Sequence, residues 1–226
     1  MFTLNPLPAP LDADLLAVLA RAEPATIGHF RHTGFMSPAI RAHVPDCRIA
    51  GTAVTVRAPA MDGSAVHYAV GQARRGDILV IDRCGDTAIA CMGGAVAYAA
   101  RAAGLAGIVV DGMVTDLGEL RRYGVPVWSR GASPITTKPL GLAGEFCIPV
   151  SCGGVAVNPG DAIVADENGV LVLPPAEAHA AAERAIRMQE EEKLTLARLD
   201  AGEKYPDIVG TSAVIRRAMQ AMEARQ

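Results

Sequence analysis

Gly93-Gly94-Ala95-Val96 opens a helix-forming stretch, and Asp116 stands just beyond the apolar strand that follows it. Backbone N–H groups at a helix start, unshielded by large side chains, can hold an anion. A carboxylate past a strand end can hold a hard divalent cation such as Mg²⁺ or Mn²⁺. Together they sketch a metal-assisted site for a small acid. Each part also has a structural reading. Asp116-Leu117-Gly118-Glu119 has the spacing of a capping box in which Asp116 caps its own helix. Gly93 and Gly94 can serve to bring a helix close to a sheet, and Asp111 can anchor the turn at Gly112. His67, between Val66 and Tyr68, reads as a core or helix-surface histidine before a proton carrier. Glu190-Glu191-Glu192 reads as a solvated helix face. Cys152 reads as a small core residue, because no nearby histidine would activate its thiol.

The elements that must position these residues follow from periodicity. Leu15, Leu16, Val18 and Leu19 predict a helix over 12–22 with Asp12 as its cap, and a short helix is expected over 26–30. Alternating, β-branched residues predict a strand over 48–58. Helices over 64–74, 92–103 and 116–123 then alternate with strands over 77–82, 107–110 and 126–129, which predicts a parallel sheet flanked by helices, an α/β fold. Short strands over 147–150, 155–157, 162–165 and 170–173 come next, followed by helices over 176–199 and 212–225. The segments Gly76-Asp77 and Gly160-Asp161 each feed a buried strand, read as one turn chemistry used twice rather than a duplicated domain. The whole chain, 1–226, is expected to form a single domain with its core over about 15–175 and a helical extension over 176–226.

Composition limits the functions available. Half the residues are apolar and the net charge is −3 with no basic cluster, which argues against nucleic acid as an obligate partner. The stretch Met1–Asp14 has no Lys or Arg and three prolines, unlike a secretory signal. The uncharged run Thr87–Ala100 has 14 residues, too short to span a bilayer. A soluble cytoplasmic protein with no membrane partner is expected. Five cysteines without a CxxC pair indicate neither a disulfide framework nor a thiolate zinc site, and reduced, buried thiols are expected. Nucleotide-binding, zincin and serine-hydrolase motifs are absent.

Several ordered blocks carry a resemblance: Ile49-Ala50-Gly51-Thr52-Ala53-Val54-Thr55-Val56, Gly76-Asp77, Gly104 to Gly112, Val125-Pro126-Val127-Trp128, Asn158-Pro159-Gly160-Asp161 and Ala165 to Val170. Over roughly 15–202 the chain resembles the RraA-like family, which includes metal-dependent pyruvate aldolases acting on 4-hydroxy-4-methyl-2-oxoglutarate and 4-carboxy-4-hydroxy-2-oxoadipate, and protein regulators of a ribonuclease. The resemblance implies a swivelling β/β/α domain with N-terminal and C-terminal helices, assembled as a homotrimer or homohexamer. It implies that Gly93, Gly94, Ala95 and Val96 bind a substrate carboxylate through their backbone and that Asp116 ligates Mg²⁺ or Mn²⁺. Glu192, or failing that Glu191, would reach the metal waters of a neighbouring subunit. Two departures stand out: Thr115 replaces the family's arginine, and Gly94 replaces an acidic residue. Threonine cannot imitate a permanently charged guanidinium fork. Arg83 and Arg130 are the cations that could approach from another direction. The expected function is a divalent-metal lyase on a small 2-keto or hydroxy acid, by aldol cleavage or oxaloacetate-type decarboxylation to pyruvate, with Asp116, Thr115 and Glu192 as catalytic residues and Thr115 also touching substrate. The alternatives are a non-catalytic regulator and a family enzyme with another substrate.

Overall fold

The structure, a computed structural model, describes residues 1–225. Its elements are β1 (Phe2–Leu4), α1 (Ala13–Leu19), α2 (Pro24–Gly28), β2 (Arg41–Ala42), β3 (Ile49–Arg57), α3 (Ser64–Gln72), β4 (Asp77–Asp82), α4 (Gly94–Ala103), β5 (Gly107–Val114), α5 (Leu117–Tyr123) and β6 (Val127–Ala132). There follow β7 (Gly144–Phe146), β8 (Val150–Cys152), β9 (Val155–Val157), β10 (Ala162–Asp166), β11 (Gly169–Leu173), α6 (Pro175–Asp200), α7 (Tyr205–Ile208) and α8 (Thr211–Glu223).

Strands β3, β4, β5 and β6 pair in parallel, as βαβ alternation requires. Around them the sheet is mixed: β10 and β7 run antiparallel to β3, β11 to β10 and β2 to β6. Side chains alternate between faces. Val54, Leu79, Ile81, Ile108 and Val110 pack under α3, α4 and α5. Ala53, Ile78, Val80 and Val109 face a second layer built from β8, β9, β10 and β11. The stripe Ala178, Ala181, Ala182 and Ala185 seats α6 on β10 and β11 beside α1 and α2. No helix among the described residues is long and apolar enough to cross a membrane.

Most expected elements are present, with four corrections. The expected strand over 147–150 is absent, 147–149 lying outside any strand and β8 starting at Val150: Cys147 adopts φ 53° and Pro149 has no N–H to donate, so the chain breaks between β7 and β8. The sheet is mixed rather than parallel. Strands β1, β2 and β7 and helix α7 were not expected; they are short, and β1 pairs with β7 across some 140 residues. The cysteines are all free, but Cys84 is exposed and Cys47 only half-buried.

The repeated Gly-Asp turn is one device used twice. Asp77 accepts from the Arg74 amide at 2.8 Å and Asp161 from the Asn158 amide at 2.8 Å, each closing a turn three residues long. Asp62 ties down the loop that follows β6: its buried carboxylate accepts from the amides of Ser64, Leu140, Leu142 and Ala143 and from the Ser64 hydroxyl. Burial alone would push this carboxyl up, but the hydroxyl and amide donors outweigh it and hold the group well below the ordinary carboxylate range. A depressed folded-state value stabilises the native state above the unfolded value, about 3.9, and the contribution is lost as pH falls from there. Asp62→Ala should cost about 3 kcal/mol in urea unfolding at pH 7. The difference from wild type should shrink as pH falls below about 4; a difference unchanged between pH 7 and pH 3 would contradict this account.

Candidate functional site

Every part of the site comes from chain leaving the carboxyl ends of the parallel strands, where open α/β sheets present their ligand crevices. His67 lies on α3 after β3, Gly93–Val96 at the start of α4 after β4, Thr115 and Asp116 after β5, and Thr136 and Thr137 after β6. These residues line one cavity of about 140 Å³ together with Ala90, Cys91 and Met92. Strand β5 runs four residues past its expected end, with a shift of register against β6 between Val110 and Met113. The segment before α4 is laced between β5 and the chain after β6. Cys91 N–H donates to Met113 O at 3.1 Å, Thr115 N–H to Met92 O at 2.9 Å, Ala90 N–H to Ile135 O at 2.8 Å and Thr137 N–H to Ala90 O at 2.9 Å. That lacing delivers Gly93 beside Asp116.

Asp116 precedes α5 but its side chain does not cap that helix, contrary to the capping-box reading. Instead the Gly94 amide donates to Asp116 Oδ2 at 2.9 Å and the Thr115 hydroxyl to Asp116 Oδ1 at 3.2 Å. The backbone of Asp116 is left-handed, φ 57° and ψ 41°, which turns the carboxylate back toward α4. The glycines serve this approach rather than contact with the sheet. A Cβ on Gly93 would stand 2.3 Å from Asp116 Oδ2, and one on Gly94 would stand 1.6 Å from Glu119 Oε2. The Gly94 amide is thus spent on Asp116, while those of Ala95 and Val96 have no acceptor among the described residues.

Other expected residues lie elsewhere. Glu191 and Glu192 line a separate groove with Thr26, His29 and Tyr205, so a single chain does not bring Glu192 to Asp116. Arg83 is fully buried, donating to Ala58 O and, at 2.6 Å, to Ala60 O; Arg130 is paired with Asp111. Neither arginine lines the cavity. Asp111 also accepts from the Gly153 amide at 2.8 Å, anchoring the β8–β9 hairpin rather than the Gly112 turn. Cys152 is buried, and burial with the nearby carboxylates of Asp111 and Asp82 pushes its thiol far up, which removes it as a nucleophile. Cys91, in the cavity wall, is pushed up to about 12 by burial. His67 is exposed on the cavity rim, where its sequence context favoured a bland role. Thr136 and Thr137 carried no sequence signal. Larger depressions exist, one of about 700 Å³ beside Arg41, His43 and Arg121, but they contain neither Asp116 nor the start of α4.

A family model described as RraA-like, Aldolase/RraA, matches residues 14–172. The chain belongs to the RraA-like family. A relative from Halalkalibacterium halodurans named "Putative 4-hydroxy-4-methyl-2-oxoglutarate aldolase" is 36% identical over 146 residues, covering 65% of this chain and 69% of its own. A relative of the same name from Burkholderia multivorans is 37% identical over 137 residues, covering 61% of this chain and 82% of its own. Among solved structures, Streptomyces coelicolor RraAS2, described as an unusual member of the RNase ES inhibitor RraA protein family, superposes with a TM-score of 0.73 at 28% identity. That match covers 81% of this chain and 96% of RraAS2. The RNA-processing inhibitor RraA from Thermus thermophilis gives 0.61 at 31% identity over 68% of this chain and 93% of its own.

The family's aldolases imply a divalent cation, and the donor chemistry here fits one kind. No three His, Cys, Asp or Glu side chains converge as a cage among the described residues. Asp116 offers one exposed carboxylate, each oxygen accepting a single hydrogen bond and keeping a further lone pair. That suits a magnesium-type ion, which keeps several waters and binds through one or two carboxylates plus ligand oxygens. It does not suit zinc, which prefers a closed set of nitrogen and sulfur donors.

The left-handed backbone at Asp116 has a direct test. Asp116→Ala and Asp116→Gly both lose the Gly94 hydrogen bond, but alanine pays the left-handed penalty and glycine does not. In urea unfolding Asp116→Gly should be more stable than Asp116→Ala by about 1 kcal/mol. Equal stabilities would contradict the left-handed placement.

Proposed function

We propose that this chain is a divalent-metal-dependent carbon–carbon lyase acting on a small 2-keto or hydroxy acid, by aldol cleavage or oxaloacetate-type decarboxylation that gives pyruvate. The observation that carries this reading is the Asp116 carboxylate, turned away from its own helix and seated at the opening of α4 in a small cavity. The aldolase names of the bacterial relatives support the reaction class. A bound Mg²⁺ or Mn²⁺ supplies Lewis-acid polarisation of a 2-keto oxygen and its neighbouring carboxylate. Asp116 would hold the cation. The free amides of Ala95 and Val96, aided by the positive end of the helix, would take the substrate carboxylate. Thr115 would orient Asp116 through its hydroxyl, and the buried floor of Cys91 and Met92 limits water beneath the ligand.

One observation favours a second reading, a non-catalytic regulator: Thr115 occupies the place of the family's arginine, and no arginine or lysine lines the cavity. The structural neighbours from Streptomyces and Thermus are described as members of an inhibitor family and as an RNA-processing inhibitor. A manganese-supplemented screen of 2-keto acids, following pyruvate release, separates the two. The lyase reading predicts release that Asp116→Ala abolishes, and it fails if no acid yields pyruvate. Large tertiary aldols should react slowly in wild type and faster in Thr115→Arg, since a contact to developing charge is worth about 2–4 kcal/mol. Wild-type turnover of such aldols near 10 per second, typical of enzymes, would contradict the role given to Thr115.

The same reading includes assembly into a homotrimer or homohexamer, with Glu192 or Glu191 completing the site of a neighbour. Val214, Ile215, Met219 and Met222 leave α8 with an exposed apolar face, a surface that a neighbouring copy would cover. Light scattering should find an oligomer, and Glu192→Gln should weaken activity about 10–100-fold without unfolding the protein. A monomer at working concentration would contradict the shared site.

A further inference from the structure

A depression of about 700 Å³ lies at the sheet edge formed by β2, between α5 and the β10–β11 turn, and shares no lining residue with the cavity at the start of α4. It brings together Arg41, His43 and Arg121, which are too far apart along the chain to read as a basic cluster in the sequence. The β2–β6 ladder continues through the His43 amide, which donates to Val127 O at 2.8 Å. Arg41 and His43 therefore project from one face of extended chain, about 7 Å apart. Arg121 joins them from the second turn of α5.

Each basic side chain is anchored through one nitrogen. Arg41 Nε donates to Pro38 O and Arg121 Nε to His43 O, both at 3.3 Å. Neither guanidinium pairs with a carboxylate among the described residues, so the terminal nitrogens of both remain free donors. His43 Nε2 lies 2.6 Å from the Ser129 hydroxyl, which donates in turn to Gly131 O at 2.9 Å. That direction assigns the ring proton to Nε2 and leaves Nδ1 without a partner among the described residues. Burial, and then the Arg121 guanidinium, hold the imidazole below its ordinary range, so the ring is neutral until an anion draws a proton onto it.

Two guanidinium forks offer more donors than the two oxygens of a carboxylate can use, and they match the three terminal oxygens of a phosphate. The volume exceeds what a bare phosphate fills and falls within the roughly 300–1,000 Å³ of small-molecule sites. The Glu167 carboxylate and the Asn168 side-chain oxygen also line the depression and accept no hydrogen bond among the described residues, which suits them to ligand hydroxyls. We propose that this depression binds the phosphate monoester of a small polyhydroxylated molecule, a sugar phosphate, with its phosphate on Arg41, Arg121 and His43 and its hydroxyls on Glu167 and Asn168. The site is separate from Asp116 and does not rest on the lyase reading.

Amide spectra of the ¹⁵N-labelled full chain, titrated with inorganic phosphate and with ribose 5-phosphate in metal-free buffer, test this. Both ligands should give saturable shifts at Ala42, His43, Arg121 and Asn168, and ribose 5-phosphate should bind about tenfold more tightly, the worth of its added hydrogen bonds. Arg41→Gln and Arg121→Gln should each weaken both ligands about tenfold, as expected for a lost hydrogen bond to a charged group. Arg121→Lys keeps the charge but not the fork, and should restore only part of the affinity. Glu167→Gln should shrink the advantage of ribose 5-phosphate without weakening inorganic phosphate. These side chains are exposed, so thermal unfolding of every variant should match wild type. Shifts confined to the amides of Gly94, Ala95 and Val96 would overturn the proposal. So would binding that survives in the Arg41→Gln, Arg121→Gln double variant, equal affinity for the two ligands, or no binding to wild type.

Discussion

The hydrogen bond from the Gly94 amide to the Asp116 carboxylate sets the constraints that the rest of the site obeys. It joins the openings of two helices that follow different strands, and it is charge-assisted, the stronger class of hydrogen bond. To make it, Asp116 takes a left-handed backbone that most residues avoid, and Gly93 gives up a side chain that would collide with the carboxylate. The same contact explains why a sequence with the spacing of a capping box does not cap. The carboxylate has a better partner across the crevice than in its own helix.

The sheet supplies the stiffness that this contact needs. Four parallel strands end along one edge, and each contributes the next piece of the cavity wall. The chain after β6 is held by the buried Asp62 carboxylate, while the segment before α4 is hydrogen-bonded on both sides. Site residues on such a frame lose little entropy when a ligand binds, the benefit of preorganisation. The ion pairs Arg74–Asp77 and Arg130–Asp111 and the turn aspartate Asp161 belong to this frame and not to the chemistry.

Legibility in the sequence followed the range of the interaction. The strand over 77–82 was readable to the residue because an apolar run between turn residues has few other solutions. The helices over 64–74 and 92–103 were readable from periodicity, with ends displaced by one or two residues. Gly93, Gly94, Thr115 and Asp116 could be singled out by residue type and resemblance, and the fold does bring them together. What Asp116 does with its carboxylate was not legible, since the same four residues suit a cap or a contact with Gly94. His67 was hidden for a related reason: one position on an amphipathic helix reads alike whether it meets solvent or a cavity. Strand β1 was invisible because its partner, β7, lies some 140 residues away along the chain. The Cys147–Pro149 break depended on a left-handed cysteine that no local pattern announces.

The central claim is that Asp116 and the opening of α4 form one cation and acid site. Amide proton spectra of the ¹⁵N-labelled protein titrated with Mn²⁺ test it most directly, because the paramagnetic ion broadens only nearby signals. The account predicts early and selective broadening of Gly94, Ala95, Val96 and Thr115, abolished in Asp116→Ala. Broadening centred on another carboxylate cluster, such as Glu190 to Glu192, with the α4 opening unaffected, would contradict it.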